Sequence, residues 1–172
     1  MNVDVQPTLQ IAQLLYLLKR VDGRTKMQKM VHILQELGHP FAERFDYSYY
    51  GMYSAQLRTE LDALESEKLI VEEPKTTVMG DATYTFKSTS ELEKFLKEIE
   101  ADTQPAWGDL ARRLNALSTQ ILEGVSTILF LRRAGLKGEE LKTRLLALKP
   151  HLKPVCAECE KQLKSLDAFA EG

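Results

Sequence analysis

The sequence predicts a mainly α-helical fold with one small β-hairpin, and three observations support this prediction. Over most of the 172 residues, apolar side chains recur at the three- and four-residue spacing of amphipathic helices. Glycine or proline interrupts this spacing where helices are expected to end. Around Ala82, Tyr84 and Phe86 the spacing changes to an alternation of apolar and polar residues, which is typical of a half-buried strand.

Three predicted helices precede this strand. The second is expected to begin with Thr25 and Gln28, whose spacing is that of a capping box. Ser54 is expected to cap the third helix, and a short apolar strand at 69–71 follows that helix. Helix, helix, helix, strand, loop, strand is the order of a winged helix-turn-helix, so we expect residues 1–88 to form one.

Residues 89–172 return to helical spacing and predict a C-terminal helical bundle. Within it, the segment 121–131 is apolar almost all round, which is typical of a core helix or of a dimer interface. We expect residues 89–172 to be a dimerisation region, and a self-contained helical subdomain is the alternative. The expected interface side chains are Ile121, Val125, Ile128 and Leu129.

Charge is segregated along the chain, although the formal net charge is only −2. Residues 19–29 hold five basic side chains against one acidic, a local net of +4, and residues 132–164 hold nine against four, a net of +5. Residues 54–73, which include the third helix, hold two basic against six acidic side chains, a net of −4. The small total disfavours a dedicated nucleic-acid binder, and the acidic segment lies where such a fold would enter DNA.

DNA binding through the third helix and the wing is nevertheless the alternative to binding of a protein partner. Gln56 and Arg58 are residue types that read base edges, and the basic residues of the second helix would contact phosphates. Glu60 and Asp62, expected on the same surface, would repel phosphates. The candidate residues for contact with DNA or a partner are Arg24, Lys26, Lys29, Ser54, Gln56 and Arg58.

Catalytic patterns are lacking in the sequence, which predicts a non-enzyme without a cofactor. The three histidines are scattered, and the chain contains no nucleophile elbow, Walker-type loop or dinucleotide-binding glycine motif. Adjacent glutamates such as Glu72 and Glu73 point in different directions and are expected to be solvated.

Cys156 and Cys159 form the one local pattern that suggests chemistry. A CxxC pair can be a redox couple or half of a zinc site. A structural zinc site needs four ligands, and the chain has a single pair, so we expect two ordinary helix residues. A metal or redox sensor is the third functional interpretation, after a protein adaptor and a DNA-binding regulator.

An aromatic-rich run precedes the third helix. It is interpreted as packing between the second and third helices, and an exposed docking patch is the alternative. We expect packing for Phe45, Tyr47 and Tyr53, and exposure for Tyr49 or Tyr50.

Three short motifs resemble a family of bacterial winged-helix proteins called YwgA-like: K-x-Q-K at 26–29, F-x-Y at 45–47 and G-x-Y-S-x-x-L at 51–57. Met52 stands where that family usually has proline. A more distant similarity is to the Panacea domain of antitoxin-like and proteolysis-adaptor proteins. Both resemblances imply a winged helix in a non-enzymatic, interaction-based role, without a known ligand.

These observations together predict a non-enzymatic regulatory or adaptor protein. It is expected to be a cytoplasmic homodimer that acts through an unidentified protein partner. No apolar stretch approaches the roughly 20 residues of a membrane span, and residues 1–7 lack the basic region of a secretory signal.

Overall fold

A computed structural model describes residues 5–49, 51–76, 78–80 and 82–171. The chain is mainly helical with small antiparallel sheets, which confirms the predicted class. The elements are α1 (Val5–Leu18), β1 (Arg20–Asp22), α2 (Arg24–Glu36), β2 (Asp46–Ser48), β3 (Gly51–Tyr53), α3 (Ala55–Ser66), β4 (Ile70–Thr76), β5 (Ala82–Ser88), α4 (Ser90–Glu98), α5 (Gly108–Asn115), α6 (Thr119–Arg133), α7 (Gly138–Leu148), a 3-10 helix (Pro150–Val155) and α8 (Cys156–Glu171).

The larger sheet has the strand order β1-β5-β4, and both pairings are antiparallel. Strand β1 was not predicted, because three residues are too few to show an alternation; its central Val21 is buried opposite Phe86. Strand β4 also runs further than predicted, through Pro74. A proline is tolerated there because β4 lies at the edge of the sheet, where one row of backbone groups forms no ladder.

The aromatic run forms a second hairpin, β2–β3, between α2 and α3. Tyr47 stacks on Phe130 of α6 with ring centroids 4.7 Å apart, and Phe45 lies 5.2 Å from the ring of His32. Phe45 and Tyr47 are therefore packed as predicted, although Tyr47 packs on α6 and not between α2 and α3. The packing predicted for Tyr53 is wrong, because Tyr53 is exposed. Tyr49 is exposed as predicted, and the prediction for residue 50 lies outside the described residues.

The helix starts agree only in part with the predicted caps. The hydroxyl of Ser54 accepts a hydrogen bond from the backbone N–H of Leu57, so the predicted cap of α3 is confirmed. The predicted capping box of α2 is wrong: the N-cap is Gly23, and it makes no side-chain capping bond within the described residues. The reason is that the amide of Gln28 is bound to another part of the chain, as described below.

Helix α6 lies inside the molecule, packed by α2 on one side and by α7 and α8 on the other. One continuous cluster of buried apolar side chains extends from α1 to α8. The four side chains predicted as a dimer interface, Ile121, Val125, Ile128 and Leu129, are at most 8% exposed. That prediction is wrong for these residues, since helices of the same chain already cover them. Among the described residues, no helix has the length and apolar character to span a membrane.

Candidate functional site

A groove of about 490 Å³ opens between α2, α3 and β5, and we call it the α2–α3 groove. Its entrance is formed by exposed parts of Arg24 and Tyr53, and Lys29 lies at its buried floor. Three of the predicted contact residues, Arg24, Lys29 and Arg58, meet here. The lining is completed by Thr25, Gln28, Leu61 and Phe86.

Below the groove, Gln28 holds the backbone at the start of α3. Its amide nitrogen donates to the carbonyl of Ser54 at 3.0 Å, and its amide oxygen accepts from the N–H of Ser54 at 2.8 Å. Gln28 and Ser54 are both buried. Buried backbone groups need hydrogen-bond partners, and no neighbouring strand supplies them at Ser54. The side-chain amide of Gln28 bonds to its N–H and C=O instead.

Lys29 continues the same arrangement one residue further along α2. Its ammonium donates to the carbonyl of Met52 at 2.8 Å, and its side chain is buried. Burial, and next the neighbouring Lys149 ammonium, lower the pKa of Lys29 to about 8. We call the bonds from Gln28 and Lys29 to the backbone of residues 52–54 the turn clamp.

The turn clamp needs glycine at position 51. Gly51 has φ +80°, a left-handed conformation that disfavours other residues. A Cβ at this position would also lie 3.0 Å from the ammonium nitrogen of Lys29 and 3.4 Å from that of Lys149. The chain therefore passes so close to two lysines that a Cβ would push their ammonium groups back by a few tenths of an ångström. Lys149 in turn pairs with Glu123 of α6 at 3.2 Å.

Arg24 and Arg58 converge on Glu72 of the strand β4. The Arg58 guanidinium lies 3.1 Å from the Glu72 carboxylate and 2.7 Å from Asp62, and Arg24 pairs with the other Glu72 oxygen. Burial alone would raise the pKa of Glu72, but the hydrogen bonds from the two arginines outweigh burial and hold this pKa below its usual value. Arg24 also lies over the ring of Tyr84, 3.8 Å from its centroid.

This cluster was missed by sequence analysis, which expected Glu72 to be solvated. Glu72 is separated from Arg24 by 48 residues and from Arg58 by 14. No local spacing reveals such a pairing. The two arginines carry +2 and the two carboxylates, Glu72 and Asp62, carry −2, so the cluster is neutral as a unit.

Glu60 lies inside the molecule rather than on the exposed face of α3, so its predicted position is wrong. It is buried beside Glu43, which is 1% exposed. Burial, and next the hydrogen bond and charge of Glu43, raise the pKa of Glu60 to about 8. Gln56 donates to Glu60 at 3.1 Å and accepts from the backbone N–H of Arg44 at 3.2 Å.

Comparison with known proteins identifies one relative. The chain is 30% identical over 149 residues to "Uncharacterized protein YwgA" of Bacillus subtilis (strain 168), and the alignment covers 87% of each protein. The chain belongs to the YwgA family. No family model matches it, and no solved structure matches it significantly.

Two of the three motifs that resemble YwgA-like proteins form the two sides of the turn clamp. The polar residues of K-x-Q-K at 26–29 each bond to backbone elsewhere: Lys26 donates to the carbonyl of Asn115 at 2.6 Å, and Gln28 and Lys29 bind the turn. The G-x-Y-S motif at 51–54 supplies that turn. In this member of the YwgA family, these short motifs join helices to the aromatic hairpin.

The six predicted contact residues therefore differ in accessibility. Ser54 is 0% exposed and Lys29 is 3% exposed, so the prediction that these two residues contact a macromolecule directly is wrong. Lys26 and Arg58 are half-buried, whereas Arg24 and Gln56 retain exposed surface. Four of the six stay available for contact, and the two arginines among them are already paired with carboxylates.

The cysteine pair is buried on α8. Cys159 is 0% exposed and packs against Gly124 of α6, where a Cβ would collide with its sulfur. Burial, and next the neighbouring Cys156, raise the pKa of Cys159 to about 11, which disfavours the thiolate that metal binding and redox exchange require. Across the described part of the chain, no group of three or more His, Cys, Asp or Glu side chains could hold a metal ion.

Proposed function

We propose that the N-terminal half is a winged helix and that the protein is a non-enzymatic regulatory adaptor that binds another protein. The order α1-β1-α2-β2-β3-α3-β4-β5, which is that of a winged helix apart from the inserted β2–β3 hairpin, and the sheet order β1-β5-β4 support the winged-helix assignment. In it, β4–β5 is the wing and α3 takes the place of the helix that reads DNA. The resemblance to the Panacea domain favours the same class of role.

The observation that carries the proposal is the charge of the outer face of α3. Asp62 and Glu65 are exposed there, Glu67 is exposed at the C-cap of α3, and Arg58 is paired with Asp62 and Glu72. DNA affinity comes mainly from neutralisation of phosphates, which an acidic face opposes. The same face is complementary to a basic segment of a partner protein.

Two further features favour a protein partner over DNA. Residues 37–54 separate α2 from α3 and include the β2–β3 hairpin, whereas DNA-binding helix-turn-helix units join these helices by a tight turn of three or four residues. At the tip of the wing, Val78 and Met79 are almost fully exposed. Apolar side chains at such a tip suit a protein surface better than a phosphate backbone.

The test compares two charge-reversal variants in a pull-down from extracts of the source organism. We expect the wild-type protein to recover a defined partner whose binding weakens as salt increases. The variant Glu65→Lys/Glu67→Lys on α3 is expected to lose that partner. Glu91→Lys/Glu98→Lys on α4 also reverses two exposed charges, but outside the proposed winged helix, and is expected to retain the partner.

A transcriptional regulator gives the opposite results. It would retard genomic DNA fragments, lose that retardation in Arg58→Ala or Lys26→Ala, and gain DNA affinity in Glu65→Lys/Glu67→Lys. Such results would replace the adaptor proposal.

Homodimerisation stays a prediction, and sedimentation equilibrium tests it on the full chain.

A further inference from the structure

We propose that an apolar groove between α1 and α3 binds an amphipathic helix of the protein partner. Aliphatic side chains of that helix enter the groove, and a lysine or arginine beside them pairs with Glu67. The groove has a volume of about 340 Å³, and we call it the α1–α3 groove. This inference rests on the proposed adaptor function and specifies which kind of partner segment the protein binds.

The α1–α3 groove is apolar and open to solvent. Six of its eight lining residues in the described chain are apolar: Leu9, Ala12, Ala63, Leu64, Leu69 and Phe95. Ala12 and Leu64 are buried and form the floor. Leu9, Leu69 and Phe95 are half-buried, and Ala63 is exposed. A partner that covers these side chains removes apolar surface from water, which stabilises the complex.

The walls of the groove match the spacing of side chains on a helix. Helix α1 lines the groove over residues 8–12, and α3 with its C-cap lines it over 63–67, so each wall is about one helical turn long. Side chains at i and i+4 of a partner helix lie roughly 5–6 Å apart and fit this length. The helical walls offer no backbone ladder to an extended segment, whereas a helix satisfies its own backbone groups.

Glu67 determines the charge that the partner segment needs. It is the one charged residue in the described lining, and it is exposed at the C-cap of α3. Within the described part of the chain, its carboxylate makes no ion pair. The surrounding segment 54–73 carries a net charge of −4. A basic residue beside the apolar pair is therefore the complementary group.

The same charge disfavours three other occupants. A second copy bound by an isologous contact would bring two segments of net charge −4 against each other. Nucleic acid would meet the same repulsion at its phosphates, and so would a membrane surface at its anionic lipids. A basic amphipathic helix is the occupant that satisfies both the apolar floor and the acidic rim.

The experiment measures binding of a fluorescein-labelled peptide to the full-length protein by fluorescence anisotropy. The peptide is a helix of about 15 residues, with leucine along one face and lysine along the other. A second peptide has the same composition in scrambled order and lacks an apolar face. We expect saturable binding of one amphipathic peptide per chain and at least tenfold weaker binding of the scrambled peptide.

Two variants test where the peptide binds. Ala63→Phe fills the groove from an exposed position, and we expect at least tenfold weaker binding. Ala147→Phe, at an exposed alanine of α7, is the matched control and should bind as wild type. Glu67→Gln is expected to bind about threefold more weakly and with less dependence on salt, because an exposed ion pair contributes modestly. Circular dichroism confirms that each variant is folded.

Wild-type affinity in Ala63→Phe, or equal affinity for the two peptides, would overturn the proposal. A dimer that sedimentation equilibrium shows to dissociate in Ala63→Phe would also overturn it, because a second copy would then occupy the groove. The adaptor proposal fails independently of this one. A natural partner that is lost in Glu65→Lys/Glu67→Lys but retained in Ala63→Phe would overturn the groove alone.

Discussion

The turn clamp and the Glu43–Glu60 pair both bury polar side chains beside α3, but the backbone supplies partners only at the clamp. Gln28 and Lys29 end on carbonyl and N–H groups of residues 52–54. At the carboxyl pair, Glu43 and Glu60 share a hydrogen bond with each other. Within the described chain, the two oxygens of Glu43 and one oxygen of Glu60 find no other hydrogen-bond partner.

The difference shows how this fold manages buried charge. A buried ion is tolerated when fixed dipoles replace water, and otherwise the group becomes neutral. Lys29 keeps a carbonyl acceptor and a pKa of about 8, so it stays largely protonated at pH 7. Glu60 has the carboxyl group of Glu43 as its neighbour, and the raised pKa of about 8 means that the pair shares a proton at pH 7.

The largest expected effect comes from removal of the clamp. Gln28→Ala leaves the buried N–H of Ser54 without a partner and removes one of the two hydrogen bonds to its C=O, which keeps the bond from the N–H of Arg58 at 3.3 Å. We expect the free energy of unfolding to fall by about 4 kcal/mol. Urea denaturation at pH 7 measures this change. Gln120→Ala, at an exposed glutamine of α6, is the control and should change stability by less than about 0.5 kcal/mol. A loss as small as that of the control would show that the clamp contributes little.

The second prediction concerns the carboxyl pair and its pH dependence. A raised carboxyl pKa contributes stability that is complete below about pH 4.5 and is lost as the pH rises through about 8. Glu60→Gln, which supplies a neutral donor to Glu43, is therefore expected to be more stable than wild type by an amount that grows with pH, from less than about 1 kcal/mol at pH 5 to roughly 3 kcal/mol at pH 7.

The measurement is chemical denaturation of wild type and Glu60→Gln across this pH range. Glu65→Gln, an exposed change on the same helix, is the control and should follow the wild-type curve. His32, whose pKa burial lowers to about 4, destabilises the protein as the pH falls below about 6.5. Its contribution is common to every variant and cancels in the difference. Parallel curves for wild type and Glu60→Gln would contradict the shared-proton interpretation.

The smallest expected effect isolates the close approach of Gly51 to Lys29. Gly51→Ala and Gly38→Ala both place alanine at a positive φ, +80° and +92°, and should share a similar backbone cost. Only at position 51 does the new Cβ crowd a lysine ammonium that is bonded to a backbone carbonyl. We expect Gly51→Ala to destabilise by about 1 kcal/mol more than Gly38→Ala in urea denaturation. Equal losses would mean that Lys29 moves without cost.

The sequence by itself determined the elements whose signals are local. The cap at Ser54, the strand around residues 82–86 and the helical spacing of the C-terminal half are set by neighbours within a few residues, and the structure confirms them. The winged-helix order was read from the same signals and stays a proposal. Membership of the YwgA family is likewise a property of the sequence.

Only the tertiary structure decided which polar side chains are buried and what they bind. The spacing of Thr25 and Gln28 fits a capping box, yet the Gln28 amide binds Ser54, 26 residues away, because the turn there has no strand partner. The apolar surface of α6 had to be covered, but the choice between α8 and a second chain depends on long-range packing. The groove likewise exists only because α2, α3 and the wing bring distant charges together, which no local spacing encodes.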